Sequence, residues 1–273
     1  MHLSKLAFLL ALAGLLLAFP PQAAALEPGG SPDEYVMLFP TTSYMPFFSG
    51  NAGKTSTEYG GHGMLVDLLD AFEKKYPQYA MQRVRLPRVR ANDWLARKQP
   101  VAFALHSPFF GGLVTGGFDF SLPLWTTADS IYTLKDDPLR YERPEDLRGV
   151  PMGVIRGFGY GLLDPLLRSG AIASIGVETD RQLYQLLLDG RVRAIVANRH
   201  VLPYSMYRYG LNPLRLRAVG PPLYEFELSV MIRKDHPEIL EALNDFIRES
   251  RADGLLDGIQ RRWLGEACPA VKE

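Results

Sequence analysis

Short apolar segments alternate with amphipathic segments along most of this chain, and this alternation limits the folds open to it. Residues 35–39, 101–105 and 192–197 have the length and apolar content of buried strands. The segment that carries Leu183, Leu186 and Leu187 has the spacing of a helix with one buried face, which Thr179 or Asp180 can cap. Strands that alternate with helices need crossover connections. The sequence therefore predicts an α/β fold with parallel strands and helices on both sheet faces.

The alternation of strands and helices occurs twice. One set of signals starts at residue 35, and a second starts at a strand predicted for residues 152–155. A strand is predicted at residues 130–134, and a last strand at residues 229–232, before a C-terminal amphipathic helix. We therefore predict two α/β sets that divide near residues 123–130. A small ligand is expected at the carboxyl ends of the strands, where loops and helix N-termini converge.

The first 25 residues have the features of a signal peptide. Lys5 precedes an apolar run at 6–19, and three alanines at 23–25 offer a cleavage site. The run is too short to span a bilayer, although a tethered N-terminal anchor is the alternative. We predict export to the periplasm through a signal peptide at 1–25.

Charge and cysteine content exclude several classes of protein. The chain has 30 basic and 30 acidic residues, and cleavage after residue 25 would remove only one of these charged residues, Lys5. This balance gives no reason to expect nucleic acid as a partner. The single cysteine, Cys268, excludes an internal disulfide. Cysteine and histidine residues have no metal-ligand spacing, so neither a metal nor a cofactor is expected.

Several motifs, taken in order, resemble those of the polar-amino-acid type of periplasmic solute-binding protein (bacterial extracellular solute-binding family 3). They are Tyr-Met-Pro-Phe-Phe at 44–48, Gly-Met-Leu-Val-Asp-Leu-Leu at 63–69, Phe-Asp-Phe-Ser-Leu-Pro-Leu at 118–124, Glu-Asp-Leu-Arg-Gly at 145–149 and Gly-Arg-Val-Arg-Ala at 190–194. The resemblance extends from about residue 35 to 265. It implies that the chain is the receptor of an ABC importer, and that this receptor binds a small molecule without transforming it.

The resemblance also implies a domain organisation. The expected fold is the type II periplasmic-binding fold, in which two α/β lobes are joined by two hinge-crossing segments. Lobe one would comprise residues 33–124 plus 225–267, and lobe two residues 125–224. Closure of the lobes around a ligand is the expected motion.

Two positions depart from the amino-acid binders of this family. Those proteins place an arginine seven residues before the serine of the Phe-Ser motif, where it binds the ligand's α-carboxylate. Here that position is Val114, counted from Ser121. The family aspartate that holds the α-ammonium is replaced by Asn198. Because a desolvated zwitterion needs ionic partners, we predict that the ligand is not a standard α-amino acid.

The first candidate ligand-binding residues come from the first half of the chain. Tyr44 and Phe47 are expected to form an aromatic wall, with core packing as the alternative. Ser107 follows a buried strand, at the end where a ligand would bind. Trp125, beside the expected hinge, is a candidate for stacking on the ligand, or for packing between the lobes.

The second group of candidates lies in the loop after the strand at 152–155 and at Asn198. Arg156, Phe158, Gly159 and Tyr160 belong to a glycine-containing loop between a strand and a helix, where backbone N–H groups can face an anion. A tight turn without a ligand role is the alternative. Asn198 is expected either to hydrogen-bond the ligand or to cap the next helix.

Three functions compete at this point. The first is a monomeric receptor that captures a small ligand and delivers it to an ABC permease. The second is a periplasmic sensor partner without transport. The third and least favoured is an enzyme derived from the binding fold, because no nucleophile, metal group or carboxylate pair can be assigned to the cleft. Glu225 and Glu227, near the second crossing, are the only acidic candidates for such a role, and we expect them to brace the hinge.

Overall fold

The computed structural model describes residues 35–41, 43–49, 61–110, 116–156 and 158–265, without the side chains of residues 88 and 89. The predicted signal peptide, Val114 and Cys268 lie outside these ranges. Within them, no helix has the length and apolar character needed to cross a membrane.

The described chain alternates strands and helices as predicted. The strands are β1 Tyr35–Pro40, β2 Met81–Leu86, β3 Ala102–His106, β4 Phe118–Phe120, β5 Trp125–Leu134, β6 Met152–Ile155, β7 Ser174–Val177, β8 Ala194–Asn198 and β9 Leu216–Arg233. The helices are α1 Met64–Lys75, α2 Arg88–Ala96, α3 Asp164–Arg168, α4 Asp180–Leu188, α5 Val201–Arg208, α6 Pro237–Ala252 and α7 Leu255–Gln260.

The strands form two parallel sets that are joined by antiparallel strands. Their order is β2-β1-β3-β9-β5-β8-β6-β7, and β4 also pairs with β9. Strand β1 is parallel to β2 and β3, and β6 is parallel to β7 and β8. Strand β9 is antiparallel to β3, β4 and β5. This is the predicted α/β fold, with two parallel sets and two connecting strands.

Strand β9 is much longer than the predicted strand at 229–232. Its C-terminal part pairs with β3, as in Phe103 with Met231, and its N-terminal part pairs with β5 from Leu216 to Leu228. The sequence signal was weak there because glycine and two prolines at 220–222 interrupt the apolar pattern. Strands β5 and β9 are therefore the two segments that connect the parallel sets. The lobe boundaries at 124/125 and 224/225 stay predictions, and β9 continues through the second of them.

Each parallel set packs against its own helices. On the first set, α1 packs against α6 through Phe72 and Phe246, whose ring centroids are 5.6 Å apart. On the second set, Leu183 and Leu187 of α4 pack with Ile195 and Met206 in one buried cluster. These helices present the amphipathic faces that the sequence periodicity predicts.

The start of α1 holds an aromatic loop at residues 44–48. The first N–H groups of a helix have no partner inside the helix, and here they donate to loop carbonyls. The Met64 N–H donates to the Pro46 oxygen at 2.9 Å, and the Leu65 N–H donates to the Phe47 oxygen at 2.9 Å. Gly63 permits this approach with a φ of 138°, because a Cβ there would lie 2.6 Å from the Phe47 carbonyl oxygen. Helix α1 and the loop therefore form one hydrogen-bonded unit.

This arrangement predicts that Gly63→Ala lowers the free energy of unfolding by at least about 2 kcal/mol, because both the positive φ and the close backbone contact disfavour a side chain. Urea denaturation would measure the loss. The control is Gly258→Ala in α7, where a Cβ would meet nothing within 4 Å. Equal stability of the two variants would contradict the role given to Gly63.

Candidate functional site

A cavity of about 430 Å³ lies where the carboxyl ends of parallel strands from both sets meet. Pro40 ends β1, Ser107 follows β3, Ile155 ends β6 and Asn198 ends β8, and all four line the cavity. This is the position expected for a ligand in such sheets. The volume is within the usual range for small-molecule sites.

Six of the nine predicted ligand-binding residues line this cavity. They are Tyr44, Ser107, Phe158, Gly159, Tyr160 and Asn198. Helix α1 fixes the loop that carries Tyr44, whereas Ser107 is held by a turn in which its hydroxyl accepts the Phe109 N–H at 3.2 Å. The hydroxyl of Tyr160 accepts the Ile155 N–H at 2.6 Å, so this ring is fixed against the end of β6. Their contact with a ligand stays a prediction.

The other three predicted residues do not line the cavity. Phe47 is fully buried and stacks on Tyr44 with ring centroids 5.2 Å apart. Trp125 is also buried, 5.9 Å from the Phe47 ring, which places both rings behind the wall that Tyr44 forms. Arg156 is exposed, and its Nη1 pairs with Glu178 at 3.3 Å. In this conformation these three side chains pack against, or pair with, protein neighbours.

Asn198 has one of the two roles that the sequence left open, that of a helix cap, and its hydrogen bond to a ligand stays a prediction. Its side-chain oxygen accepts N–H groups at the start of α5, from His200 at 3.1 Å and Val201 at 3.3 Å. Its Nδ2 donates to Oδ1 of Asp129 at 2.9 Å. Asn198 therefore caps the start of α5 and also positions a carboxylate in the cavity wall.

The carboxylate of Asp129 was missed by the sequence reasoning. Asp129 lies opposite Asn198 on β8 and opposite Tyr224 on β9, and the Tyr224 hydroxyl donates to it at 3.1 Å. Burial raises the pKa of Asp129, while the hydrogen bonds from Asn198 and Tyr224 oppose that rise. The available signal was an acidic residue beside an apolar segment, but the predicted strand began only at residue 130. The structure starts this strand at Trp125 and so places Asp129 inside it.

A second carboxylate, that of Asp180, lines the cavity from the first turn of α4. The sequence suggested either Thr179 or Asp180 as the cap of this helix. Thr179 is the cap, and its hydroxyl accepts the Gln182 N–H at 3.3 Å. Among the residues that the structure describes, the Asp180 side chain has no hydrogen-bond or salt-bridge partner. Burial raises its pKa from the usual 3.8 to about 6.

The described side chains that line the cavity carry net negative charge. Its described lining contains Asp129 and Asp180 but neither lysine nor arginine. Burial and the charges of these two carboxylates raise the pKa of Tyr44 well above its usual value. Tyr44 is therefore protonated at neutral pH. Such a cavity favours positive charge and disfavours a further carboxylate.

The two glutamates considered for catalysis lie outside the cavity. Glu225 is exposed and pairs with Arg199 at 2.7 Å, and Glu227 is exposed on β9 opposite Thr126. The Arg199–Glu225 pair links the residue after β8 to β9. A bracing role therefore accords with the contacts of Glu225.

The raised pKa of Asp180 predicts a pH-dependent effect of substitution. The folded state binds this proton more tightly than the unfolded chain does, so ionisation costs stability above about pH 6. Asp180→Asn should raise the free energy of unfolding at pH 7.5 by about 1–2 kcal/mol, and the gain should fade as the pH falls from 6 to 4. Urea titrations across this range would measure it.

The control for this measurement is Asp146→Asn. Its carboxylate accepts N–H groups from Glu142 and Arg143, which lower the pKa of Asp146. That substitution should therefore destabilise the protein at pH 7.5. A destabilising Asp180→Asn would show that the carboxylate has a partner and would contradict the description of the cavity.

Comparison with solved structures supports the fold. A mutant of ArgBP from T. maritima is 18% identical, with a TM-score of 0.66 over 85% of this chain and 96% of that one. A histidine kinase sensor domain with similarity to periplasmic binding proteins is 18% identical, with a TM-score of 0.67 over 86% of this chain and 98% of that one. The fold is therefore the predicted two-lobed type II periplasmic-binding fold.

Comparison of sequences identifies the family. L-cystine-binding protein TcyJ of Escherichia coli is 28% identical over 151 residues, which are 54% of each chain. The chain thus matches about half the length of its curated relatives. The model of the bacterial extracellular solute-binding proteins, family 3, matches residues 116–266, more than half of the chain. The predicted resemblance is confirmed: this chain belongs to the bacterial extracellular solute-binding proteins, family 3.

Proposed function

We propose that this protein is a monomeric periplasmic receptor that binds a small ligand in the cavity and delivers it to an ABC permease. The family membership supports a binding function, and the signal-peptide features of residues 1–25 support export. The proposed ligand is not a standard free α-amino acid, and the protein has no catalytic role.

The observation that carries this proposal is the absence of a cation from the described lining of the cavity. An α-carboxylate would be desolvated beside Asp129 and Asp180 without a positive partner. The loss of its hydration would then add to repulsion from two negative groups. The sequence supplies no basic residue at 111–115, where family members carry their arginine. The cavity is therefore unfavourable for a zwitterion bound through its carboxylate.

A second candidate function is a ligand-responsive sensor. The similarity to a histidine kinase sensor domain favours it, because the same fold is present in that signalling protein. An importer receptor and a sensor would share the cavity and differ in their membrane partner. Uptake of the identified ligand in cells with and without this gene separates them, since only an importer receptor is required for uptake.

This proposal predicts ligand-induced stabilisation without turnover. A ligand at 100 times its Kd adds about 2.7 kcal/mol to the folded state, which raises Tm by roughly 5–10 °C in a protein of this size. Differential scanning fluorimetry against amines, organic acids, sugars and the standard L-amino acids measures the shift. We expect no shift with the standard L-amino acids.

The matched variants are Tyr44→Ala, which removes part of the cavity wall, and Asp245→Asn on the exposed face of α6. The first should reduce the ligand-induced shift, and the second should preserve it. Large shifts with ordinary L-amino acids would refute the exclusion of a zwitterion. Conversion of a bound compound to product, detected by mass spectrometry, would refute the receptor function.

A further inference from the structure

We propose that the ligand is an organic cation without a carboxylate, an amine or a quaternary ammonium compound, held between Asp129, Asp180 and the aromatic rings of the cavity. This inference rests on the proposed function and names the chemical class of its ligand. It follows from charge, from the composition of the wall and from size, which are independent observations.

The charge argument starts from the different surroundings of the two carboxylates. Asp129 is held by Asn198 and Tyr224, which fix its position and leave its negative charge in place. Asp180 has no partner in the described part of the chain, although it faces the same cavity. A half-buried carboxylate without a partner is costly unless a cation or a hydrogen-bond donor pairs with it. A bound ammonium group would supply both the charge and the N–H donors.

Both carboxylates act on the same part of the cavity. Each of them raises the pKa of Tyr44, and each contributes to the raised pKa of Tyr160. The two tyrosines come from different parts of the chain, the loop before α1 and the loop after β6. Asp129 and Asp180 therefore act jointly on the space between these rings, and a single ligand in that space would lie in the field of both.

The cavity wall is rich in aromatic rings, which also attract cations. A cation over the face of an aromatic ring is attracted by the ring's negative face, and methylated ammonium groups are bound by proteins in this way. Phe110 and Phe158 remain 37% and 56% exposed, so their rings are available to a ligand in the cavity. The phenylalanine and tyrosine residues in the lining are Tyr44, Phe48, Phe103, Phe110, Phe158, Tyr160, Tyr184 and Phe226.

The size and donor set favour an organic cation over a metal ion. A volume of about 430 Å³ accommodates a compound the size of an arylalkylamine or a diamine. A calcium ion takes six to eight oxygen ligands. No group of three metal-ligating side chains is present among the described residues. The aromatic wall would also contribute nothing to such an ion's coordination.

The test compares pairs of compounds that differ in one charged group. Isothermal titration calorimetry of the full chain at pH 7.5 would use phenethylamine with phenylalanine, agmatine with arginine, and putrescine with ornithine. Choline would represent quaternary ammonium compounds, and N-acetylphenethylamine would lack the positive charge. We expect at least one amine or ammonium compound to bind, and its carboxylated or acetylated counterpart to bind at least tenfold more weakly.

For a compound that binds, two variants and one control test whether its positive charge lies beside Asp129 and Asp180. Asp180→Asn and Asp129→Asn should each weaken its binding at least tenfold at pH 7.5, whereas Asp245→Asn on α6 should leave its affinity unchanged. The affinity of the unsubstituted protein should fall by up to tenfold per pH unit below about pH 6, as Asp180 takes up a proton. Asp180→Asn should reduce this pH dependence, and Asp129 and His106, which also line the cavity, would account for what remains. A general loss of folding would not produce this effect.

The outcomes separate this inference from the receptor function. If a zwitterion, an acid or a neutral compound binds tightly and no amine binds, the inference of a cationic ligand is overturned. The receptor function would then still hold. Failure of all cations to bind overturns the inference, and the broader stabilisation screen then decides the receptor function by itself. Amine binding that is unaffected by both aspartate substitutions also overturns it, because the cation would then lie elsewhere.

Discussion

The antiparallel pairing of β5 with β9 is the constraint on which the rest of the structure depends. It joins the two parallel sets and places Asp129 opposite Tyr224, while the pairing of β5 with β8 places Asp129 opposite Asn198. A shift of one residue in this register would turn Asp129 to the opposite face of the strand and remove the carboxylate from the cavity. The register shift between Asp129 and Ile131 lies directly beside the residue that matters most. Fold and ligand chemistry are therefore determined at the same few residues.

The sequence predicted the architecture more completely than the site. Apolar runs and helical spacing located the main helices and the parallel strands other than β7, because both patterns are local properties of the chain. Tyr44, Ser107, Tyr160 and Asn198 were found in segments that follow or end strands, and the structure brings them to one cavity. Family membership followed from motifs in order, although single motifs were weak.

Asp129 and Asp180 could not be found in the same way. The significance of Asp129 depends on its neighbours across β8 and β9, and strand register cannot be read from one segment. Asp180 resembled a helix cap, and only the geometry of Thr179 shows that its carboxylate is not used for that purpose. The prediction of missing ionic anchors was based on Val114 and Asn198 alone. It therefore identified the replacement of the family aspartate by Asn198 but did not detect the carboxylate of Asp129 on the adjacent strand.

The hydrogen bonds at the start of α1 have a consequence for selectivity. Helix N-termini commonly bind phosphate, sulfate or carboxylate groups, because their free N–H groups carry partial positive charge. Here the N–H groups of Met64 and Leu65 are already bonded to carbonyl oxygens of the protein. At the start of α4 the carboxylate of Asp180 supplies the negative charge that a bound anion would otherwise bring. An anion would therefore meet occupied N–H groups at the start of α1 and a carboxylate at the start of α4, so neither helix start favours an anion.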